Sequence, residues 1–208
     1  MTRPRLEICV DSLEGALRAE DGGASRLELC SSLHLDGLSP SDRLLESVLT
    51  AVNIPVMVMV RPRPGDFVFN AQELEQMKSE IEQRGSSGCA GFVFGNLSHE
   101  EMPEQHQCRD LKDLSGKLDC TFHRAFDICT DQFLALEQII NLGFSRILTS
   151  GNRPTAGQGK QRLKELIEAA GDRIQILPGG KIRPENAKEL QGYLECLEFH
   201  SSATEGWR

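Results

Sequence analysis

The stretch Arg5-Leu6-Glu7-Ile8-Cys9 recurs 21 residues later as Arg26-Leu27-Glu28-Leu29-Cys30, with four of the five residues identical. Each copy is short and β-prone, and a helical pattern follows it, as is typical of a strand that leads into a helix. Side chains of a strand alternate between its two faces. In both copies the aliphatic residues therefore share one face, and the glutamate and the cysteine share the other.

Six further β-prone runs continue this pattern along the chain, with helical patterns between them. They lie near residues 55–61, 91–95, 119–124, 146–150, 174–178 and 196–200. Alternation of strands and helices predicts a parallel sheet covered by helices. Eight strands with seven intervening helices favour a single α/β domain, a (β/α)8 TIM barrel over residues 1–208, and an open doubly wound sheet is the alternative. A dinucleotide-binding form of that alternative needs a Gly-x-Gly-x-x-Gly turn, which residues 10–15 do not contain.

The chain length bears on the end of the barrel. TIM barrels typically need about 250 residues, whereas this chain has 208 and stops just after the eighth strand. We therefore expect the last helix to be missing. Two helix starts carry capping-box signals, Asp11 with Glu14 and Asn70 with Glu73.

Composition narrows the functional class. The net charge of −8 argues against a nucleic-acid-binding surface, which needs clustered lysine and arginine. No apolar run approaches the roughly 20 residues of a membrane helix, and the N-terminal sequence lacks an apolar signal core. Seven cysteines without any Cys-x-x-Cys pair are typical of thiols in a reducing compartment. We expect a cytosolic protein that binds neither membrane nor nucleic acid.

The strand phase predicts which side chains point into the barrel. Helices cover the outer face, so that face must be apolar. Glu7, Cys9, Glu28 and Cys30 should then face inward, with both cysteines near the C-terminal strand ends, where barrel active sites lie.

The same alternation directs other polar side chains inward. It selects His123 in the fifth strand, Glu198 and His200 in the eighth, and Met57, Met59 and Arg61 in the third if the valines there pack under helices. Buried charges are costly unless they are paired. One interpretation is a structural network of groups that neutralise each other. Because the polar groups cluster at strand C-termini, we favour a functional site.

Loops after the strands supply further candidates. Arg61 and Arg63 suit an anionic group, while a salt-bridged loop with Asp66 is an equal alternative. Glycine-rich turns after strands six and seven could hold an anion through backbone N–H groups, or be simple tight turns. The predicted ligand contacts at the mouth are Arg61, Arg63, Asp66, Arg124, Asp127, Thr149, Ser150, Gly151, Gly179, Gly180, His200 and Ser201.

These motifs together resemble the copper homeostasis protein CutC family. They include Leu-Glu-Ile-Cys-Val-Asp-Ser at 6–12, Arg-Pro-Arg at 61–63, Thr-Phe-His-Arg-Ala-Phe-Asp at 121–127 and Glu-Phe-His-Ser-Ser-Ala at 198–203. The resemblance implies a TIM barrel, a cytosolic and also nuclear location, and a homodimer or homotetramer. It further implies copper binding with Cys9 and Cys30 as ligands. Soft thiolates suit Cu(I).

Two functional hypotheses follow. In the first, the chain is an intracellular Cu(I)-binding protein of copper homeostasis and tolerance. In the second, it is a barrel enzyme that acts on a small anionic metabolite, with His123, Glu7, Glu28 and Glu198 as acid–base groups.

Overall fold

The computed structural model describes residues 4–202. Within these residues, eight strands and seven α-helices alternate. The strands are β1 Arg5–Val10, β2 Arg26–Leu29, β3 Val56–Met59, β4 Gly91–Phe94, β5 Asp119–Phe122, β6 Arg146–Thr149, β7 Gln175–Pro178 and β8 Glu198–Ser202. The helices are α1 Leu13–Asp21, α2 Asp42–Ala51, α3 Ala71–Arg84, α4 Gln105–Leu114, α5 Gln132–Asn141, α6 Lys160–Ala170 and α7 Pro184–Leu194. Short 3₁₀ turns lie at Leu33–Leu35 and Arg124–Ile128.

All the strands pair in parallel, in the order β7-β6-β5-β4-β3-β2-β1-β8. The sheet curls into a nearly closed barrel, which confirms the predicted (β/α)8 fold. Within residues 4–202 no ladder joins β7 to β8, but the seam is held in other ways. Ser201 Oγ donates a hydrogen bond of 2.8 Å to the carbonyl of Ile182. The expectation of a missing last helix concerns residues after 202, which lie outside the described part.

The buried apolar residues form two clusters that the sheet separates. The larger lies between strands and helices and includes Ile8, Leu27 and Leu29. The smaller lies inside the barrel and consists of Cys9, Cys30, Met57, Met59 and Val93. The predicted inward and outward faces of β1, β2 and β3 are therefore confirmed, and the barrel interior is rich in sulfur.

The helix starts agree in part with the capping signals. Asn70 caps α3 and Glu73 reaches back to the Asn70 N–H, as predicted. The Asp11 prediction is wrong, because α1 begins at Leu13 and Ser12 occupies the capping position instead. Over residues 4–202, no helix combines the length and the apolar character that crossing a bilayer requires.

Candidate functional site

The N-terminal half of the barrel interior holds an ion-pair network around Arg26. Its guanidinium bonds the Glu7 carboxylate and lies 3.0 Å from Glu198 Oε2. Glu198 also pairs with Arg5 at the first position of β1. Glu7 and Glu198 are almost completely buried. Glu198 thus lies at the end of the barrel opposite the mouth, away from His123.

A second buried arginine, Arg146, continues this layer. Its guanidinium donates to Thr121 Oγ1 at 3.3 Å and to Asp119 Oδ2 at 2.8 Å. It also lies 3.6 Å from the Met57 sulfur. The lower interior is therefore a structural network of paired charges, which was the alternative interpretation of the polar residues.

Nearer the mouth, Cys9 and Cys30 form a buried thiol pair. Their sulfur atoms are 3.4 Å apart. Cys9 lies in β1, and Cys30 directly follows the neighbouring strand β2. Gly37 closes over this pair, since a Cβ there would lie 3.5 Å from the Cys30 sulfur and 3.7 Å from the Met59 methyl group. Hydrogen bonding between the two thiols, then burial and the Glu28 carboxylate, hold the pKa of Cys9 well above its usual range.

Glu28 and His200 lie beside the thiols. His200 Nε2 is 3.3 Å from Glu28 Oε1 and 3.9 Å from Glu7 Oε1. Burial would lower the pKa of His200, but the charge and hydrogen bonding of Glu28 together with the Glu7 charge raise it. Burial would likewise raise the pKa of Glu28, but the charge and hydrogen bonding of His200 together with the Cys9 thiol lower it. The pair is thus a buried ion pair.

Three potential metal ligands converge at this point. One ligand atom each of Cys9, Glu28 and His200 lies within 4.8 Å of the others, and all three residues are buried. Glu28 Oε2 lacks a hydrogen-bond partner within the described structure, and His200 Nε2 has the ion-pair contact with Glu28 Oε1 but no well-aligned hydrogen bond. A thiolate pair with an imidazole and two nearby thioethers is a donor set that suits Cu(I). The residues present therefore fit a soft cation.

His123 follows β5 and faces the interior across from Glu28. Its Nδ1 accepts a hydrogen bond of 3.3 Å from the Ala125 N–H. Its ring packs on Phe67, with centroids 4.8 Å apart. Burial and then the charge of Arg61 lower the pKa of His123 to about 3. The imidazole is therefore neutral at physiological pH and carries its proton on Nε2.

Arg61 and Arg63, predicted as a pair of anion ligands, have different environments. Arg63 pairs with Asp66 Oδ1 at 2.8 Å and with Glu73 Oε1 at 2.6 Å, as in the salt-bridged alternative. Arg61 is buried and turns inward, where its guanidinium bonds backbone carbonyls and no side chain within residues 4–202. Asp66 therefore pairs with Arg63, while the Arg61 side chain lies in the barrel interior.

Arg124 and Asp127 form a closed network at the mouth. Arg124 Nε donates to Asp127 Oδ2 at 2.8 Å, and Arg124 Nη2 donates to Ser150 Oγ at 2.8 Å. Asp127 also accepts from Thr149 Oγ1 and from the Ser150 and Asn152 N–H groups. These polar atoms bind one another, which fixes the 3₁₀ turn after β5 against the end of β6. Their role as ligand contacts stays a prediction.

The glycine turns are required by close packing. A Cβ at Gly151 would lie 2.5 Å from the Gly159 carbonyl oxygen, and one at Gly179 would lie 2.6 Å from a Leu148 methyl carbon. Gly180 adopts a φ of +96°, which L-residues rarely adopt. These contacts explain the glycines without a ligand, so the predicted anion contacts there stay a prediction.

Sequence reasoning missed four residues that shape the site: Arg26, Phe67, Gly95 and Arg146. Strand alternation could have identified the two arginines, because each lies two residues before an inward-facing position of its strand and therefore shares that face. Phe67 and Gly95 had none. Their contacts with His123 join separate segments of the chain.

The sequence is similar to proteins that are named as members of one family. It is 43% identical over 198 residues to a family protein CutC from Histophilus somni (strain 2336), covering 95% of this chain and 82% of that protein. It is 44% identical to the copper homeostasis protein cutC homolog of Homo sapiens, covering 95% of this chain and 72% of the human protein.

The structural comparison agrees. The crystal structure of CutC from Streptococcus agalactiae superposes with a TM-score of 0.91 at 29% identity, covering 95% of this chain and 98% of that one. The sequence profile of the CutC family matches residues 4–205. The chain forms the nearly closed barrel and carries the motifs at its strand ends. It therefore belongs to the CutC family.

Proposed function

We propose that this protein binds Cu(I) through Cys9 and Cys30 and takes part in copper homeostasis. Relatives named for copper homeostasis support a role in that process. The observation that carries the proposal is the buried thiol pair, with sulfur atoms 3.4 Å apart inside the barrel mouth.

Several features of the pair favour a soft monovalent cation. Both thiols pack in one cluster with Met57 and Met59, and thiolates and thioethers select Cu(I) over harder ions. Coordination deprotonates a thiol outright, so the raised pKa of Cys9 does not prevent binding. His200 supplies a neighbouring imidazole, which the Glu28 carboxylate orients.

The test is a competition titration with Cu(I) and a strong chelator under reducing conditions. Wild type is expected to bind one Cu(I) per thiol pair. The Cys9→Ser, Cys30→Ser double variant is expected to lose that binding while the far-UV circular dichroism is unchanged. A folded double variant with unaltered Cu(I) affinity would overturn the proposal.

A matched control removes two other buried thiols. Cys89 and Cys196 lie outside the barrel, in the cluster between strands and helices. The Cys89→Ser, Cys196→Ser variant should therefore keep the wild-type Cu(I) affinity. Equal losses in both double variants would show non-specific thiol binding and count against a defined site.

We further propose a cytosolic location, extending to the nucleus, and assembly as a homodimer or homotetramer. All seven cysteines are buried thiols without a disulfide, which suits a reducing compartment. Sedimentation of the purified chain over a range of concentrations tests the oligomer, and a monomer throughout would overturn that part.

A further inference from the structure

Arg61 is a buried cation without a carboxylate partner. It is 4% exposed, and among residues 4–202 no Asp or Glu oxygen lies within ion-pair distance. Its Nη1 donates to the Leu35 and Gly37 carbonyls at 3.1 and 3.2 Å, and its Nη2 donates to Gly65 at 3.0 Å. Nη1 also donates to the Asp36 carbonyl at 3.4 Å, and the Asp36 carboxylate adds a longer-range attraction. Burying an unpaired charge is costly unless something compensates it.

One donor of Arg61 is unused. Its Nε is buried and has no hydrogen-bond partner in the described structure. His123 offers a second unused donor, since its Nδ1 accepts from the backbone and the proton therefore lies on Nε2. His123 is 4% exposed, and its Nε2 likewise lacks a partner among residues 4–202. Buried polar groups in proteins are nearly always satisfied.

The strand register brings these two residues to one level of the barrel. Met59 pairs with Val93, and Val93 pairs with Thr121. The same register two residues further on aligns Arg61, Gly95 and His123, all facing inward.

Gly95 allows the two side chains to approach. A Cβ at Gly95 would lie 2.7 Å from His123 Nδ1, so the absent side chain lets the imidazole lie over β4. Phe67 then contacts both partners, 4.8 Å from the His123 ring and 4.7 Å from the Arg61 guanidinium carbon. Arg61 and His123 therefore flank one aromatic ring on the same side of the barrel mouth.

We propose that Arg61 Nε and His123 Nε2 together bind one oxygen of a small carboxylate ligand. The charge of Arg61, which no carboxylate within residues 4–202 pairs, selects an anion over a neutral molecule. Arg61 Nε and His123 Nε2 each carry one N–H, so the two atoms suit one oxygen of the ligand. The neutral imidazole acts here as a donor, as in sites that polarise a carbonyl or carboxylate oxygen. This proposal does not rest on copper binding by Cys9 and Cys30.

The probe is acetate, with acetamide as its neutral, equally sized counterpart. Metal-free protein labelled with ¹⁵N at histidine is titrated with each compound, and the Nε2–H resonance of His123 is followed by ¹H–¹⁵N NMR. We expect a saturable shift with acetate, at a Kd of about 1 mM. Acetamide should bind at least about tenfold more weakly, since a charge-assisted hydrogen bond is the stronger one. No shift with acetate, or equal binding of the two, overturns the proposal.

Two variants separate this site from the thiols. His123→Phe keeps an aromatic ring against Phe67 and removes the donor, so calorimetric acetate binding should fall at least about tenfold. Undiminished binding in this variant would also overturn the proposal. The Cys9→Ser, Cys30→Ser variant should keep acetate binding whatever happens to Cu(I), so each proposal fails by its own measurement.

Discussion

Replacing Arg26 tests the charge network at the base of the barrel. Arg26 bonds Glu7 directly and reaches Glu198, and these carboxylates are 1% and 3% exposed. Arg26→Met leaves Glu7 without a strong cationic partner, because His200 Nε2 lies 3.9 Å from Glu7 Oε1 and already pairs with Glu28. Glu198 keeps Arg5. Removing one partner of a buried pair costs about 3–5 kcal/mol, a large part of the 5–15 kcal/mol typical of a folded domain.

The Glu7→Gln substitution in the same chain should reverse much of that loss. A neutral amide does not need a counter-ion, so the double variant is expected to be less destabilised than the sum of the single changes. For residues in direct contact, coupling of about 2 kcal/mol is reasonable. The coupling isolates the charge interaction from the loss of the Arg26 side chain itself.

The assay is urea unfolding followed by circular dichroism, with all variants at one pH and ionic strength. Arg18→Met is the matched control, because Arg18 pairs with Glu14 on the exposed face of α1. Surface pairs of this kind contribute less than about 1 kcal/mol. An Arg26→Met loss no larger than that of Arg18→Met would refute the argument that buried pairing stabilises the barrel base.

Two further predictions concern the mouth. The pKa of His123 is about 3 in the folded protein against an ordinary value of 6.5, so the unfolded chain binds a proton first as the pH falls. Lowering the pH from 7 to 5 should therefore reduce the free energy of unfolding by about 2 kcal/mol through His123. Urea unfolding at both pH values should show this extra loss in wild type and not in His123→Phe, and parallel losses would contradict it. Asp127→Asn should lower the free energy of unfolding by about 2 kcal/mol. Both carboxylate oxygens of Asp127 accept hydrogen bonds, so the N–H₂ group of an asparagine would face the donors of Arg124 or Ser150. Thermal unfolding measures this, and an unchanged midpoint would show that the network is dispensable.

The sequence alone determined the barrel and the direction of its inner side chains. The period-two pattern of Glu7 with Cys9 and of Glu28 with Cys30 requires no tertiary information, because a strand buried under helices must turn its polar residues inward. The family motifs then identified Cys9 and Cys30 as candidate metal ligands, and the structure places their sulfur atoms in contact.

The distribution of the polar groups between the base and the mouth of the barrel depends on tertiary packing. Glu7 and Glu198 pair with Arg26 at the base, whereas Glu28 joins His200 beside the thiols. Strand phase gives the face of a residue but not its height in a closed barrel, which depends on register between strands distant in sequence. The same is true of Arg61: that no carboxylate of residues 4–202 pairs with it becomes visible only when segments from several parts of the chain are packed around it.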